Sequence, residues 1–193
     1  NIGLYQSIEK FYIELVQTLA RIIDAKDSYT GDHATRARER AVKLARKLNV
    51  PEKMLRTVEY AALLHDIGKI AIPDEIIKKP SRLSSEEFEI VRQHPVIGAR
   101  IIKEIEALAP MVPLIQHHHE RYDGNGYPGK LKGEEIPIGA RIIHVVDSFE
   151  TMVSARAYRD MIPAELAISE LRKNAGTQFD PQVVDTFIGV IRK

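Results

Sequence analysis

His65 and Asp66 stand side by side at the end of an apolar run, Ala61-Ala62-Leu63-Leu64, just before Ile67-Gly68-Lys69. A charged pair closing a buried segment is costly unless something compensates both groups. A metal ion would do so; a plain His–Asp hydrogen bond is the ordinary alternative. Groups of the same chemistry are scattered along the chain. His33 opens a helical pattern, His94 precedes Pro95, and His117, His118 and His119 follow the Pro113 segment. Asp147 follows Ile142-Ile143-His144-Val145-Val146, where a carboxylate needs a partner such as Arg141 or Arg156. Singly, each has an ordinary reading as a capping or surface group. Jointly, His33, His65, Asp66, His94, His118, His119 and Asp147 supply five imidazoles and two carboxylates on separate helices. Such nitrogen and oxygen sets bind first-row transition metals in helical bundles.

The elements that must position these groups are helices. Leu4, Ile8, Phe11, Leu15, Leu19 and Ile22 recur at steps of three or four. A second pattern runs from Thr35 to Leu48, and Pro51 suits the first turn of a third helix carrying Met54, Val58, Ala61, Ala62 and Leu64. Ser84 and Glu87 form a capping-box pair. Pro95 and Pro110 each reopen a helix. Asp123 to Pro137, with Gly124, Gly126, Gly129 and Gly133, reads as a long loop, a class that is usually functional or disordered. Helices resume over Ile138–Ser154 and Pro163–Lys173, and Asp180-Pro181 caps the last one. The expected class is all-α.

Composition narrows the chemistry further. Of 193 residues, 44% are apolar, enough for a core, and 28 Lys+Arg against 27 Asp+Glu leave a net charge of +1. No global field draws in nucleic acid, so direct DNA binding is not expected. The absence of cysteine removes disulfides, zinc fingers, iron–sulfur clusters and a thiol nucleophile. No apolar run approaches the roughly 20 residues of a membrane-spanning helix. The chain begins at Asn1 and reads as a processed chain or a piece of a longer one.

Leu64-His65-Asp66-Ile67-Gly68-Lys69 resembles the signature of the HD metal-dependent phosphohydrolase superfamily. His118-His119-Glu120-Arg121-Tyr122-Asp123-Gly124-Asn125-Gly126-Tyr127-Pro128 resembles that of its HD-GYP subfamily. His33-x-x-Arg36, Ile72-Pro73-Asp74, Gln93-His94-Pro95 and Gly176-Thr177-Gln178-Phe179-Asp180-Pro181 agree with it, from about residue 25 to the end. The resemblance implies an HD-domain helical bundle with a Gly/Pro-rich GYP loop. Residues 1–25 would be a connecting helix and 26–193 the catalytic domain. The implied activity is bacterial: hydrolysis of cyclic di-GMP to linear pGpG, with some members continuing to GMP.

That chemistry suits the residues, because two metals about 3.5–4 Å apart neutralise a phosphodiester and supply hydroxide at neutral pH. By resemblance, Asp66 bridges the metals, His33, His65 and Asp147 complete one site, and His94, His118 and His119 complete the other; spacing alone does not partition them. Imidazoles with few carboxylates favour iron or manganese, with zinc also compatible and magnesium disfavoured. Lys69, one turn beyond the pair if the helix continues, would hold a phosphate oxygen and support transition-state charge. Gly124-Asn125-Gly126-Tyr127-Pro128-Gly129 fails as a dinucleotide fingerprint, since no strand precedes it. It reads instead as a turn bringing Gly126 amides and Tyr127 to substrate. Arg156 and Arg159 occupy the region that in the family contacts guanine and phosphate. Glu120 and Asp123 would either hold ligand imidazoles or organise the loop.

Three departures stand out. Tyr29 replaces a Glu that helps hold a third metal in some members, which argues for two metals. Glu150 stands where Asp is usual, and Ala157 replaces a common Pro. The stripe Arg36, Arg40, Lys43 and Lys47 reads as a solvated face, and His117 and His144 have no assigned role. Other readings are a phosphodiesterase for a different cyclic dinucleotide and an inactive sensing or interaction module; retention of all seven ligand candidates favours an enzyme. Expected surroundings are the cytoplasm, an upstream sensor or receiver domain, and a homodimer through the N-terminal helix. For that dimer the apolar spacing breaks heptad register.

Overall fold

The computed structural model describes residues 2–27, 33–154 and 161–192, with the side chains of Ile2, Leu4, Tyr5, Gln6 and Glu9 left aside. Among these residues there are ten α-helices: α1 (Ile2–Lys26), α2 (His33–Lys47), α3 (Glu52–Leu64), α4 (Asp74–Ile77), α5 (Ser85–Val91), α6 (His94–Lys103), α7 (Val112–Gln116), α8 (Ile138–Val153), α9 (Ala164–Lys173) and α10 (Pro181–Ile191). Short 3-10 turns cover Ile67–Ala71, Glu106–Met111 and Gly133–Glu135. The all-α expectation holds, with one isolated bridge, Ala175 to Phe179. No helix among the described residues is long and apolar enough to cross a membrane.

Proline marks many of the helix starts, and Pro51 and Pro163 lie just outside the helices they are expected to begin. Pro51 is the N-cap residue of α3 and not part of its first turn; Pro73, Pro137 and Pro163 do the same for α4, α8 and α9. Each has extended backbone, and its carbonyl accepts the first helical bonds. Pro51 O receives Met54 N at 2.8 Å and Leu55 N at 3.0 Å, and Pro137 O receives Ala140 N at 2.9 Å. The Ser84–Glu87 capping box forms as expected, and Asp180 Oδ1 accepts from Gln182 N at 2.8 Å.

Helices α2, α3 and α8 pack together at the centre, with α10 across α2 and α8. Leu44, Val58, Ala61, Ile142, Val145 and Phe187 fill the core between them. Helix α1 divides its apolar residues between two faces. Val16, Ala20 and Ile23 are buried in the common core and Leu19 packs against it, while Ile8, Phe11, Leu15 and Ile22 are exposed.

Helix α3 stops at Leu64, so the helical continuation that would carry Lys69 does not form. The chain instead tightens into the Ile67–Ala71 turn, where residues three apart eclipse. Lys69 Nζ thereby reaches Asp66 Oδ2 at 2.7 Å. Helix α6 presses on this turn so closely that a Cβ on Gly68 would lie 1.9 Å from His94 O. Only glycine permits the approach that sets His94 against Asp66.

Candidate metal centre

The seven candidates come from five places in the fold: the start of α2 (His33), the end of α3 (His65, Asp66), the start of α6 (His94), the turn after α7 (His118, His119) and the middle of α8 (Asp147). The structure brings all of them together. Asp66 lies between two groups. Its Oδ2 is 3.4 Å from His65 Nε2 and its Oδ1 is 3.3 Å from His94 Nε2. On one side, Asp147 Oδ1 is 3.3 Å from His33 Nε2 and 3.6 Å from His65 Nε2. On the other, His94 Nε2 and His118 Nε2 are 3.3 Å apart, and the His118 and His119 rings are 4.1 Å apart. Donor atoms of His33, His65 and Asp66 lie within 4.8 Å of one another, as do those of His94, His118 and His119.

The imidazoles are held in the state a metal needs. Nδ1 of His65, His94 and His118 donates to the carbonyl three residues earlier: Ala62 O at 2.9 Å, Val91 O at 2.8 Å and Ile115 O at 2.6 Å. A carbonyl only accepts, so each Nδ1 carries a proton and each Nε2 is the nitrogen that faces inward; on His94 and His118 burial keeps that nitrogen an unprotonated lone pair. Two such lone pairs 3.3 Å apart repel unless a cation sits between them. His65 Nε2 is buried and outside hydrogen-bond geometry to any described group. These orphaned, converging donors fit divalent transition-metal ions.

Electrostatics differ across Asp66. Burial opposes a charge on His65, but the Asp66 and Asp147 carboxylates outweigh it and push the imidazole up to about 9. Burial likewise opposes charge on Asp147, yet the His33 and His65 imidazoles beside it hold its carboxyl well below the usual range. On the other side burial dominates. It pushes His94 down to about 4 and His118 and His119 well below the ordinary imidazole value. Lys69 is held charged by Asp66 and Asp27, which overcome its burial. Its Nζ is 2.5 Å from Asp27 Oδ2.

The GYP loop closes over the second group. Tyr127 stacks on His119 at 5.0 Å, and the Arg92 guanidinium lies over the Tyr127 ring, 4.6 Å from its centroid. A Cβ on Gly126 would meet Arg121 N at 2.2 Å, so the loop can fold back on Glu120–Arg121 only with glycine there. Glu120 organises this loop and does not hold a ligand imidazole: its Oε1 accepts Gly129 N at 2.5 Å and lies 3.1 Å from His117 Nδ1. Asp123 pairs with Arg121 and accepts Asn125 N at 3.0 Å, again within the loop. Residues 177–178 anchor it, through Asp123 N to Thr177 O at 2.8 Å and Tyr122 N to Gln178 O at 3.1 Å. Of the two arginine partners considered from sequence for Asp147, Arg141 serves another carboxylate. Arg141 bonds Asp180 Oδ2 at 2.6 Å, and Arg156 lies, with Arg159, Ala157 and Tyr29, outside the described residues.

The basic stripe on α2 is corrected in part. Arg36 and Arg40 do not form a solvated face but converge on Glu150 of α8, whose side chain is fully buried. Arg36 Nε donates to Glu150 Oε2 at 2.9 Å, and its Nη2 to Ser154 Oγ at 3.0 Å. A buried carboxylate demands such partners, and a Glu in an apolar helix was the sequence signal for them. Sequence reasoning also missed Asp27, Arg92 and His144; only the unexplained His144 left any trace there.

An HD domain family model matches residues 17–183. The chain is 38% identical to a cyclic di-GMP phosphodiesterase of Thermotoga maritima, over 95% of this chain and 50% of that protein. It is 33% identical to the 3'3'-cGAMP-specific phosphodiesterase 2 of Vibrio cholerae, over 97% of this chain and 36% of the relative. The chain thus spans half or less of these relatives' length. Among solved structures it is similar to Bd1817, described as an HDG"Y"P protein from Bdellovibrio bacteriovorus. The TM-score is 0.68 at 19% identity, over 83% of this chain and 52% of that one, which shows a shared fold. The chain belongs to the HD domain family, and its motifs at residues 64–69 and 118–128 are those of the HD-GYP branch.

Proposed function

We propose that this domain hydrolyses the phosphodiester of cyclic di-GMP to linear pGpG at a two-metal centre. The observation that carries the reading is Asp66, with one carboxylate oxygen beside His65 and the other beside His94. His33, His65 and Asp147 would hold one ion with Asp66, and His94, His118 and His119 the other. Iron or manganese suits this donor set, with zinc also compatible. Two divalent cations, when bound, neutralise the phosphodiester anion and make water acidic enough to attack at neutral pH. The chain's own groups do the rest. Lys69, kept charged by Asp66 and Asp27, steadies the shared carboxylate and stands beside the scissile phosphate. Tyr127, in contact with both His119 and Arg92, offers a ring edge and its neighbouring Gly126 amide to the nucleotide. Arg156 and Arg159 would contact guanine and phosphate.

The proposed cyclic dinucleotide substrate supports a cytoplasmic domain. The extra length of the relatives supports an upstream sensor or receiver domain in the full chain. A homodimer through α1 is supported by exposed Ile8, Phe11, Leu15 and Ile22, whose spacing keeps heptad register once Leu19 is turned to the core.

The test is turnover by anaerobically prepared protein loaded with ferrous iron or manganese and given cyclic di-GMP, with products separated by chromatography. Asp66→Ala is the control. Linear pGpG from the wild type alone is the expected result. No product at full metal occupancy overturns the reading, and 3'3'-cGAMP, named for the Vibrio relative, is then the next substrate to assay.

A further inference from the structure

His144 has no place among the metal ligands, yet it lies against two of them, His118 and His119. It sits on α8, one turn before Asp147, and is buried. Its Nδ1 is 2.6 Å from His118 O, and its Nε2 is 3.3 Å from Gln178 Nε2. The two bonds require the same tautomer. The His118 carbonyl can only accept, so Nδ1 carries the proton, and Nε2 then accepts from the Gln178 amide. Its ring also stands edge-on to His119 at 6.1 Å and against Phe179 at 5.1 Å.

The carbonyl it grips is the peptide link between His118 and His119. That link lies in a turn beyond the end of α7, where no ladder of helical bonds holds it. The other end of the relay, Gln178, accepts Tyr122 N through its own carbonyl and so anchors the GYP loop. One ring therefore joins three parts: the helix carrying Asp147, the peptide between two ligand imidazoles, and the segment anchoring the loop.

The structure assigns His144 as a positioning residue that orients His118 and His119 for the second metal through its bond to the His118 carbonyl. This rests on the two-metal reading above. Outer partners of ligand imidazoles typically contribute 10–100-fold to metal affinity. Nothing in the geometry ties His144 to His33 or His65, so its effect is confined to the second ion.

The test is a manganese titration of chelator-treated protein, followed by calorimetry and by metal content after gel filtration, on wild type, His144→Leu and His144→Asn. Asn keeps an amide donor where Nδ1 lies; Leu fills space without one. The expected result is two ions for wild type and for His144→Asn. His144→Leu should keep the first ion at wild-type affinity and bind the second about 10–100-fold more weakly. Equal second-ion affinity in the two variants overturns the assignment, as does equal weakening of both ions. Should His144→Leu fail to fold, Gln178→Met decides, because it frees the ring from its far side. Selective weakening of the second ion supports the relay and unchanged affinity overturns it. A wild type that binds no manganese would sink the metal centre itself, a distinct failure.

Discussion

The two sides of Asp66 solve the same problem in opposite ways. The His33, His65 and Asp147 side is nearly self-neutralising: carboxylates push His65 up to about 9, and imidazoles hold Asp147 down. Among the described residues, the His94, His118 and His119 cluster holds no carboxylate beyond the shared Asp66, and burial holds its imidazoles neutral, with His94 near 4. The first side can accept a proton in place of a metal. The second keeps its lone pairs ready at neutral pH, but they repel until a cation arrives. Two ions held by similar ligands should therefore differ in affinity and in pH response.

The largest effect is expected where the sides meet. Asp66→Ala removes the shared carboxylate and leaves Lys69 facing Asp27. Turnover should fall by more than the 10–100-fold typical of outer partners, with metal content reduced below two. A variant that keeps two ions and full activity would break the comparison at its root.

Gly68→Ala should separate the sides. The added Cβ cannot coexist with His94 O at 1.9 Å, so α6 must move outward. Overpacking of this kind costs about 1–3 kcal/mol. Melting temperature should drop and the second ion should be lost, while the His33 and His65 side keeps its own.

Acid and alkali should act on different sides of the metal-free protein. His94, His118 and His119 have folded values below their ordinary 6.5. Their contribution to stability is complete above 6.5 and is lost as pH falls toward about 4, because the unfolded chain takes up protons that the folded site refuses. His65 is shifted the other way. Its contribution is complete below 6.5 and is lost as pH rises through about 9. Melting temperature of chelated protein against pH should peak between these limits. His118→Gln should flatten the acid limb and Asp147→Asn the alkaline one; if either variant flattens both limbs, the electrostatic division fails.

The smallest effect belongs to the loop. Arg92→Ala removes the guanidinium from the Tyr127 ring, a contact worth about 0.5–1 kcal/mol near the surface. A rise in KM of a few-fold with kcat and metal content unchanged would confine the contact to substrate binding; a fall in metal content would tie it to the His119 side.

Much of this was legible in the chain. Helix positions follow from apolar periodicity and from caps such as Ser84–Glu87 and Asp180, because a helix is specified by interactions within about four residues. The seven ligand candidates stood out by chemical type, since imidazoles and carboxylates beside apolar runs need compensation wherever the chain later takes them. The GYP loop showed in its glycines, of which Gly126 proves a steric necessity, as does Gly68 in the separate Ile67–Ala71 turn.

Other features depended on residues distant in sequence meeting in space. That Asp66 divides its oxygens between His65 and His94 depends on α6 pressing onto the Gly68 turn. That Arg36 and Arg40 serve Glu150 depends on α2 lying along α8. That His144 holds the His118 carbonyl depends on where α7 ends relative to α8. By itself the sequence determined the all-α class, the approximate helix positions and the inventory of metal-competent groups, because those are local or compositional properties. The tertiary structure alone decided which imidazoles converge, which charges are buried in pairs and which carbonyl His144 meets, because those depend on packing between helices that no short stretch of chain encodes.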